Sequence, residues 1–172
     1  GYIPSNLSSM CDGQICMSST VFAEGFRPAI DLALSLSIIG GRCQPKIVKA
    51  LSRDLRADYA RYLEVVRLSR MGSGLSSEAE RLVRRGEAIL SVLQQGQHSP
   101  VTTGEEVLLL CALYKNMLMD KDKDVRDRFR REIFAFVSQR DPALLHRIEQ
   151  ELELTPEIEQ GMVSALSAYF EQ

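Results

Sequence analysis

A chain of 172 residues, 45% of them hydrophobic, can bury a real core, and its length suits one full domain with an appended piece. Its 21 Lys and Arg against 23 Asp and Glu give a formal charge of -2, which argues against a general nucleic-acid binder and leaves room only for a specific patch. No apolar run approaches the roughly eighteen residues that a membrane span needs, and the first residues lack the basic flank and apolar stretch of a signal peptide.

In chain order, residues 1–44 carry strand and turn signals. Tyr2-Ile3-Pro4 reads as extended, and Asp12-Gly13 marks a tight turn before Gln14-Ile15-Cys16-Met17. So few strands leave open edges, so they must lean on the helical part of the chain or complete a sheet supplied by other residues. Gly40-Gly41 reads as a sharp turn at the junction.

From Pro45 the period becomes helical. Ile47, Val48, Leu51, Leu55, Tyr59, Tyr62, Leu63 and Val66 recur at spacings of three and four and predict one long amphipathic helix ending before Gly72. Met71-Gly72-Ser73-Gly74 reads as a helix C-cap. A second helix starts at Ser77, whose spacing to Glu80 fits a capping box, and carries Leu82, Gly86, Ile89 and Leu93 on one side. The third runs from about Thr103 to Met119, and Val107 to Leu113 is apolar all round, as in the buried middle helix of a bundle. Lys121-Asp122-Lys123-Asp124 reads as a solvated loop ahead of a helix marked by Val125, Phe129, Ile133, Phe136 and Val137. Asp141-Pro142 and Thr155-Pro156 pair a capping side chain with a proline that opens the next helix, the last of them carrying Ile158, Met162, Leu166 and Tyr169. The expectation is a mainly α chain: terminal strands and loops over 1–44, then a bundle of five to seven helices over 45–172.

Independent chemistry finds little support. No stretch has the form G-x-x-x-x-G-K-[ST], so the chain has no loop of its own to cradle a triphosphate. His98 and His146 are the only histidines and lie apart; Cys11 and Cys16 are spaced too widely for a zinc hook, and no second pair exists beyond them, so no metal site is expected. Cys11, Cys16, Cys43 and Cys111 are expected as free thiols, because a chain this long folds without staples. Glu105-Glu106 and Glu157 with Glu159 sit at helix starts, where they favour the dipole rather than acid–base catalysis.

Gly1-Tyr2-Ile3-Pro4-Ser5-Asn6, Asp12-Gly13-Gln14-Ile15, Arg27-Pro28-Ala29-Ile30-Asp31 and Ser35-Leu36-Ser37 with Gly40-Gly41 resemble successive blocks from the end of the nucleotide-binding domain of ATP synthase alpha subunits. Leu55 to Tyr62 with Glu64, Met71-Gly72-Ser73 and Gln94-Gln95-Gly96-Gln97-His98-Ser99-Pro100-Val101 resemble that family's C-terminal helical domain, and the blocks come in the right order over essentially the whole chain. The resemblance implies that 1–44 is the incomplete end of a RecA-like domain and that 45–172 is the helical domain.

It further implies a hexamer of alternating alpha and beta subunits around a central stalk in a rotary, proton-translocating ATP synthase. The partners would be beta subunits, the remaining part of an alpha subunit and the stalk, on the surface of a bacterial, mitochondrial inner or thylakoid membrane. ATP or ADP with Mg would be bound only in the complete assembly. Arg27, Pro28, Gln95 and Gln97 match positions lining the adenine pocket of the non-catalytic site, where a guanidinium and a proline ring can stack and amides can read a base edge. Each also has a plain reading, a turn for Arg27-Pro28 and solvated amides for the glutamines.

At one position the chain departs from the pattern: Ile38 stands where the family has an arginine that reaches a neighbouring catalytic site. Loss of an arginine finger typically costs roughly 10³ to 10⁵ in rate. Arg42 is the nearest substitute, displaced by about 6 Å if the chain there is helical. Two roles are therefore open, a structural, non-catalytic portion of an alpha-type subunit or a diverged paralogue serving as an interaction module. Whether such a chain is a processed fragment, a split-gene product or a paralogue is decided by the coding sequence upstream.

Overall fold

The protein is described by a computed structural model covering residues 6–7, 9–23, 25–69 and 76–171. The strand expected at Tyr2-Ile3-Pro4 and the C-cap expected at Met71 to Gly74 lie outside these residues.

Two strands, β1 (Gly13–Met17) and β2 (Ile30–Ser37), pair antiparallel, with a short helix, α1 (Ser19–Ala23), between them. Asp12 lies at a bend and Gly13 already belongs to the strand, paired with Ser37. Gln14 faces Leu36 and Cys16 faces Asp31, so Ile15 stands opposite the whole of 32–35, which loops out of the ladder. Polar groups hold that loop. The Asp31 carboxylate accepts the N–H of Ala33 at 2.9 Å and of Leu34 at 3.0 Å, and the Ser35 hydroxyl accepts the N–H of Cys16 at 3.0 Å. From the helical side, the Arg56 guanidinium donates to the carbonyls of Ser35 at 2.7 Å and Ala33 at 3.3 Å.

The sheet has its polarity reversed. In β1 the polar Gln14 and Cys16 are half-buried, while Ile15 and Met17 are 72% and 67% exposed. Leu34, Leu36 and Ile38 of the second strand and its exit are also exposed. Ile15 and Met17 thus turn the apolar side of β1 to water, and a two-stranded sheet of this kind is marginal unless other elements pack on it.

Helices fill the rest: α2 (Lys46–Ser52), α3 (Leu55–Ser69), α4 (Ser77–Leu93), α5 (Thr103–Tyr114), α6 (Lys123–Arg140), α7 (Pro142–Glu151) and α8 (Pro156–Phe170). The chain is thus mainly helical behind a small sheet, as the periodicity predicts. The helix expected as one run from Pro45 is two. It breaks at Arg53-Asp54 because Ile47, Val48 and Leu51 pack against α5, whereas α3 packs against α4 through Tyr59 and Tyr62. The cap of α4 is Ser76, not Ser77: its hydroxyl accepts the N–H of Ala79 at 3.2 Å, and the two adjacent serines are indistinguishable by spacing to an acidic partner. The third helix stops at Tyr114 rather than Met119, where Asn116 takes a left-handed conformation (φ 58°) that asparagine tolerates.

The caps read at Asp141 and Thr155 agree with the structure, and Thr102 is a further one. Thr102, Asp141 and Thr155 accept from the N–H groups of Glu105, Leu144 and Ile158, with Pro142 and Pro156 in the first helical positions. Glu105, Glu106, Glu157 and Glu159 all fall in first turns, where they suit the dipole. Val107 to Leu113 is buried on every side, enclosed by α2, α6, α7 and α8. Against it pack Phe129, Ile133 and Val137 of α6 and Ile158, Met162 and Leu166 of α8, all fully buried. Phe129 stacks on Phe170 with centroids 5.2 Å apart and meets Tyr169 edge-on at 5.4 Å.

Candidate functional site

The exit of α4 builds the site. At Gln94 the backbone turns extended (φ -65°, ψ 134°), which carries Gln95 away from the helix axis. There the Gln95 N–H donates to the carbonyl of Arg27 at 2.9 Å. That bond joins the loop between the strands to the end of a helix far along the chain. Ala29 behind it is buried, and the peptide between Arg27 and Pro28 is cis.

The result is a cleft of about 200 Å³ walled by Phe26, Arg27, Pro28, Leu90, Gln94 and Gln95, with Tyr59 also contributing. It is smaller than the roughly 300–1,000 Å³ of drug-sized pockets, so one flat ring system fits it better than a whole nucleotide. The Arg27 guanidinium lies 3.5 Å above the Phe22 ring centroid and donates to the carbonyls of Phe22 and Phe26, both at 2.8 Å. It is thereby fixed as a flat plate on the Phe22 ring. The Gln95 amide donates to the carbonyl of Ser99 at 2.8 Å, which orients its oxygen.

Three of the four residues singled out in sequence therefore meet: Arg27, Pro28 and Gln95. Gln97 does not wall the cleft; it is exposed in the next turn of the chain, its carbonyl accepting the Ser99 hydroxyl at 3.3 Å. Leu90, Phe22 and Gln94 complete the arrangement; Leu90 lies in an ordinary helical pattern and Phe22 in a segment read as strands and turns, so neither carries a sequence signal, while Gln94 opens the block that contains Gln95.

Ile38 lies past the end of β2, 67% exposed, its N–H donating to the carbonyl of Asp12 at 2.8 Å. Beyond it a short 3-10 helix covers Gly40–Arg42, with Gly40 at φ 59°, a conformation that glycine adopts without strain. The sharp turn expected at Gly40-Gly41 is this helix. Arg42 ends it and is exposed.

Cys11, Cys16, Cys43 and Cys111 are free thiols, and burial pushes the Cys111 thiol up to about 12 from its ordinary 9.0. Among the described residues no cluster of three His, Cys, Asp or Glu could hold a metal ion, and no helix is long and apolar enough to cross a membrane.

The sequence family described as "ATP synthase alpha/beta chain, C terminal domain" matches residues 44–169. The chain belongs to that family. Its relatives are alpha-type: it is 32% identical over 169 residues to the ATP synthase subunit alpha, sodium ion specific, of Acetobacterium woodii, an alignment covering 98% of this chain and 34% of the relative. Identity to ATP synthase subunit alpha of Clostridium acetobutylicum is also 32%, over 98% and 34% of the two chains. For ATP synthase subunit alpha 2 of Vibrio campbellii it is 33%, over 98% and 33%. The chain thus corresponds to the C-terminal portion of an ATP synthase alpha-type subunit and spans about a third of the length of these relatives.

Proposed function

We propose that this chain is a structural, non-catalytic portion of an alpha-type subunit in the alpha–beta hexamer of a rotary ATP synthase, and that its cleft supplies part of an adenine site. The observation that carries the adenine reading is the bond from the Gln95 N–H to the Arg27 carbonyl, because it brings a guanidinium plate, a proline ring and an orienting amide to one opening. The polarity of the small sheet supports the placement: Ile15 and Met17 of β1 turn one apolar side to water, and Leu34 and Leu36 of β2 are exposed as well, surface suited to cover by the rest of a RecA-like layer. The proposed division is therefore 1–44 as the end of that layer and 45–172 as the helical domain.

Beta subunits and the remainder of an alpha-type chain are the proposed neighbours, with the central stalk a further one. ATP or ADP with Mg is bound only in the full assembly, at the periphery of an energy-transducing membrane. The proposed coupling ion is the proton. One relative is named sodium ion specific, so the ion is a quantity to be measured on the assembled complex.

Two measurements test the reading. In calorimetric titration the purified chain is expected to show no micromolar, magnesium-dependent ATP binding, because phosphate contacts supply much of nucleotide affinity and no P-loop is present. Co-expressed with beta subunits and the remaining alpha-type segment, it is expected to co-purify in a hexamer. Tight binding in the first or exclusion from the complex in the second overturns the proposal.

A further inference from the structure

A second cleft adjoins the first. It encloses about 480 Å³ between α3, α4, the loop at Gly25-Phe26 and the opening turn of α6, and it shares Phe26, Leu90 and Gln94 with the base cleft. In its wall lies Arg126, only 7% exposed. The Nε of that guanidinium is buried without a hydrogen-bond partner among the described residues. Its Nη2 reaches Oε2 of Glu87 at 3.4 Å, the limit of a bond, and the Glu87 side chain is 48% exposed.

A settled ion pair looks different in this same molecule. Arg85 meets Asp58 at 3.0 Å with both side chains largely buried, and it donates a further bond to the Leu113 carbonyl. Arg126 has a loose, half-solvated partner instead. A buried guanidinium with an unused donor is costly, and an incoming acceptor recovers that cost. Lys123 lines the same cleft from the first helical position of α6, and the side chain of Asp122 before it caps none of that helix's amides. Glu87 and Asp127 also line the cleft, so it carries no net charge and would hold an anion by directed donors rather than by field.

We propose that the Lys123–Arg126 cleft binds a phosphate-type oxyanion, which takes Nε–H and an Nη–H of Arg126 side by side while Glu87 turns out to solvent. The oxyanion is either free phosphate or the phosphoryl group of a nucleotide whose base occupies the neighbouring cleft. This inference does not rest on the adenine reading.

The test is an amide-resolved NMR titration of the whole chain at constant ionic strength with inorganic phosphate, adenosine and AMP. Phosphate is expected to give saturable shifts around Lys123, Arg126 and Gln94. Arg126→Gln weakens its binding about tenfold or more, as loss of charge-assisted bonds does, and Glu87→Gln, which frees the guanidinium without removing it, tightens binding severalfold. AMP binding at least about tenfold tighter than phosphate, with shifts in both clefts, identifies the nucleotide as source; equal affinity identifies free phosphate. Adenosine reports on the base cleft alone, so the phosphate result stands whether or not adenosine binds; the adenine reading, which concerns the full assembly, is tested there by loss of nucleotide from the complex on Arg27→Ala. The absence of saturable phosphate shifts, or an unchanged affinity in a folded Glu87→Gln chain, overturns the proposal.

Discussion

At Ile38 an apolar, two-thirds-exposed side chain stands at the exit of a strand whose neighbours are otherwise those of an alpha-type subunit. Set beside a phosphate site on a beta subunit, it cannot stabilise the charge that develops on a transferring phosphoryl group. The proposed interface is therefore slow or silent. In the reconstituted hexamer, Ile38→Arg is expected to raise turnover by a large part of the roughly 10³- to 10⁵-fold that an arginine finger supplies in comparable enzymes, with Ile38→Ala nearly neutral. If Arg42→Ala abolishes turnover in the original sequence, the finger has moved to the 3-10 helix and the silent-interface idea is wrong. Cys111 supports a prediction of another kind. Desolvation holds its thiol protonated in the folded state up to about 12, against an ordinary 9.0 that serves for the unfolded chain. The folded state thus binds the extra proton, so this contribution to stability is fully present below pH 9 and is lost as pH rises toward 12. Denaturant midpoints measured across that window should fall more steeply for the original chain than for Cys111→Ala, and equal slopes would refute the assignment. Below it, thiol reagents should label exposed Cys11 and Cys43 and spare Cys111 until unfolding.

Between elements, the contact of α3 with α4 depends on one missing side chain. A Cβ built on Gly86 would stand 2.0 Å from a ring carbon of Tyr62, so the two helices approach only because position 86 carries no side chain. Gly86→Ala is expected to cost about 1–3 kcal/mol by overpacking, despite the better helix propensity of alanine, and chemical denaturation measures it. Trimming the ring in the double variant Gly86→Ala, Tyr62→Ala should restore part of that loss; strictly additive losses would show that the steric account is wrong. The same contact explains which parts of the helical region are legible in sequence. Periodicity locates each helix, and the prolines at 142 and 156 mark two starts, because a missing N–H and a capping oxygen are properties of the sequence itself. The break at Arg53-Asp54 has no glycine or proline to announce it. It arises because α2 and α3 have different partners, α5 for one and α4 for the other, and partner choice is a tertiary fact that spacing along the chain does not encode. In sequence Gly86 reads as one member of an apolar stripe, and its role in admitting a tyrosine becomes visible only with the neighbouring helix in place.

For the whole molecule, protection is expected to be uneven. The proposed autonomous unit lies beyond Pro45, with Val107 to Leu113 at its centre, and hydrogen exchange on a monomeric sample should show those amides far slower than the amides before residue 44. Equal protection in the two regions would remove the basis for dividing the chain there. The candidate site spans that boundary, which is why the sequence reveals it only in part. Arg27, Pro28 and Gln95 stand out through the blocks of family resemblance that contain them, and the structure seats them on one cleft. The fourth residue, Gln97, is carried by the same block yet faces elsewhere, since four residues past a helix end the direction of a side chain is set by the local turn, here the one closed by Ser99. The donors of Arg126 give no signal at all, because an arginine in a charged helix looks solvated until the helices around it are assembled. The reversed sheet has a consequence for the life of the protein in a cell. Ile15 and Met17 of β1, with Leu34 and Leu36 exposed on β2, give the small sheet apolar surface of the kind that holdases and proteases recognise. If the proposed neighbours cover that surface, a copy without them is the one open to triage, and overproduction of this chain alone is expected to raise its degradation rate more than its standing level.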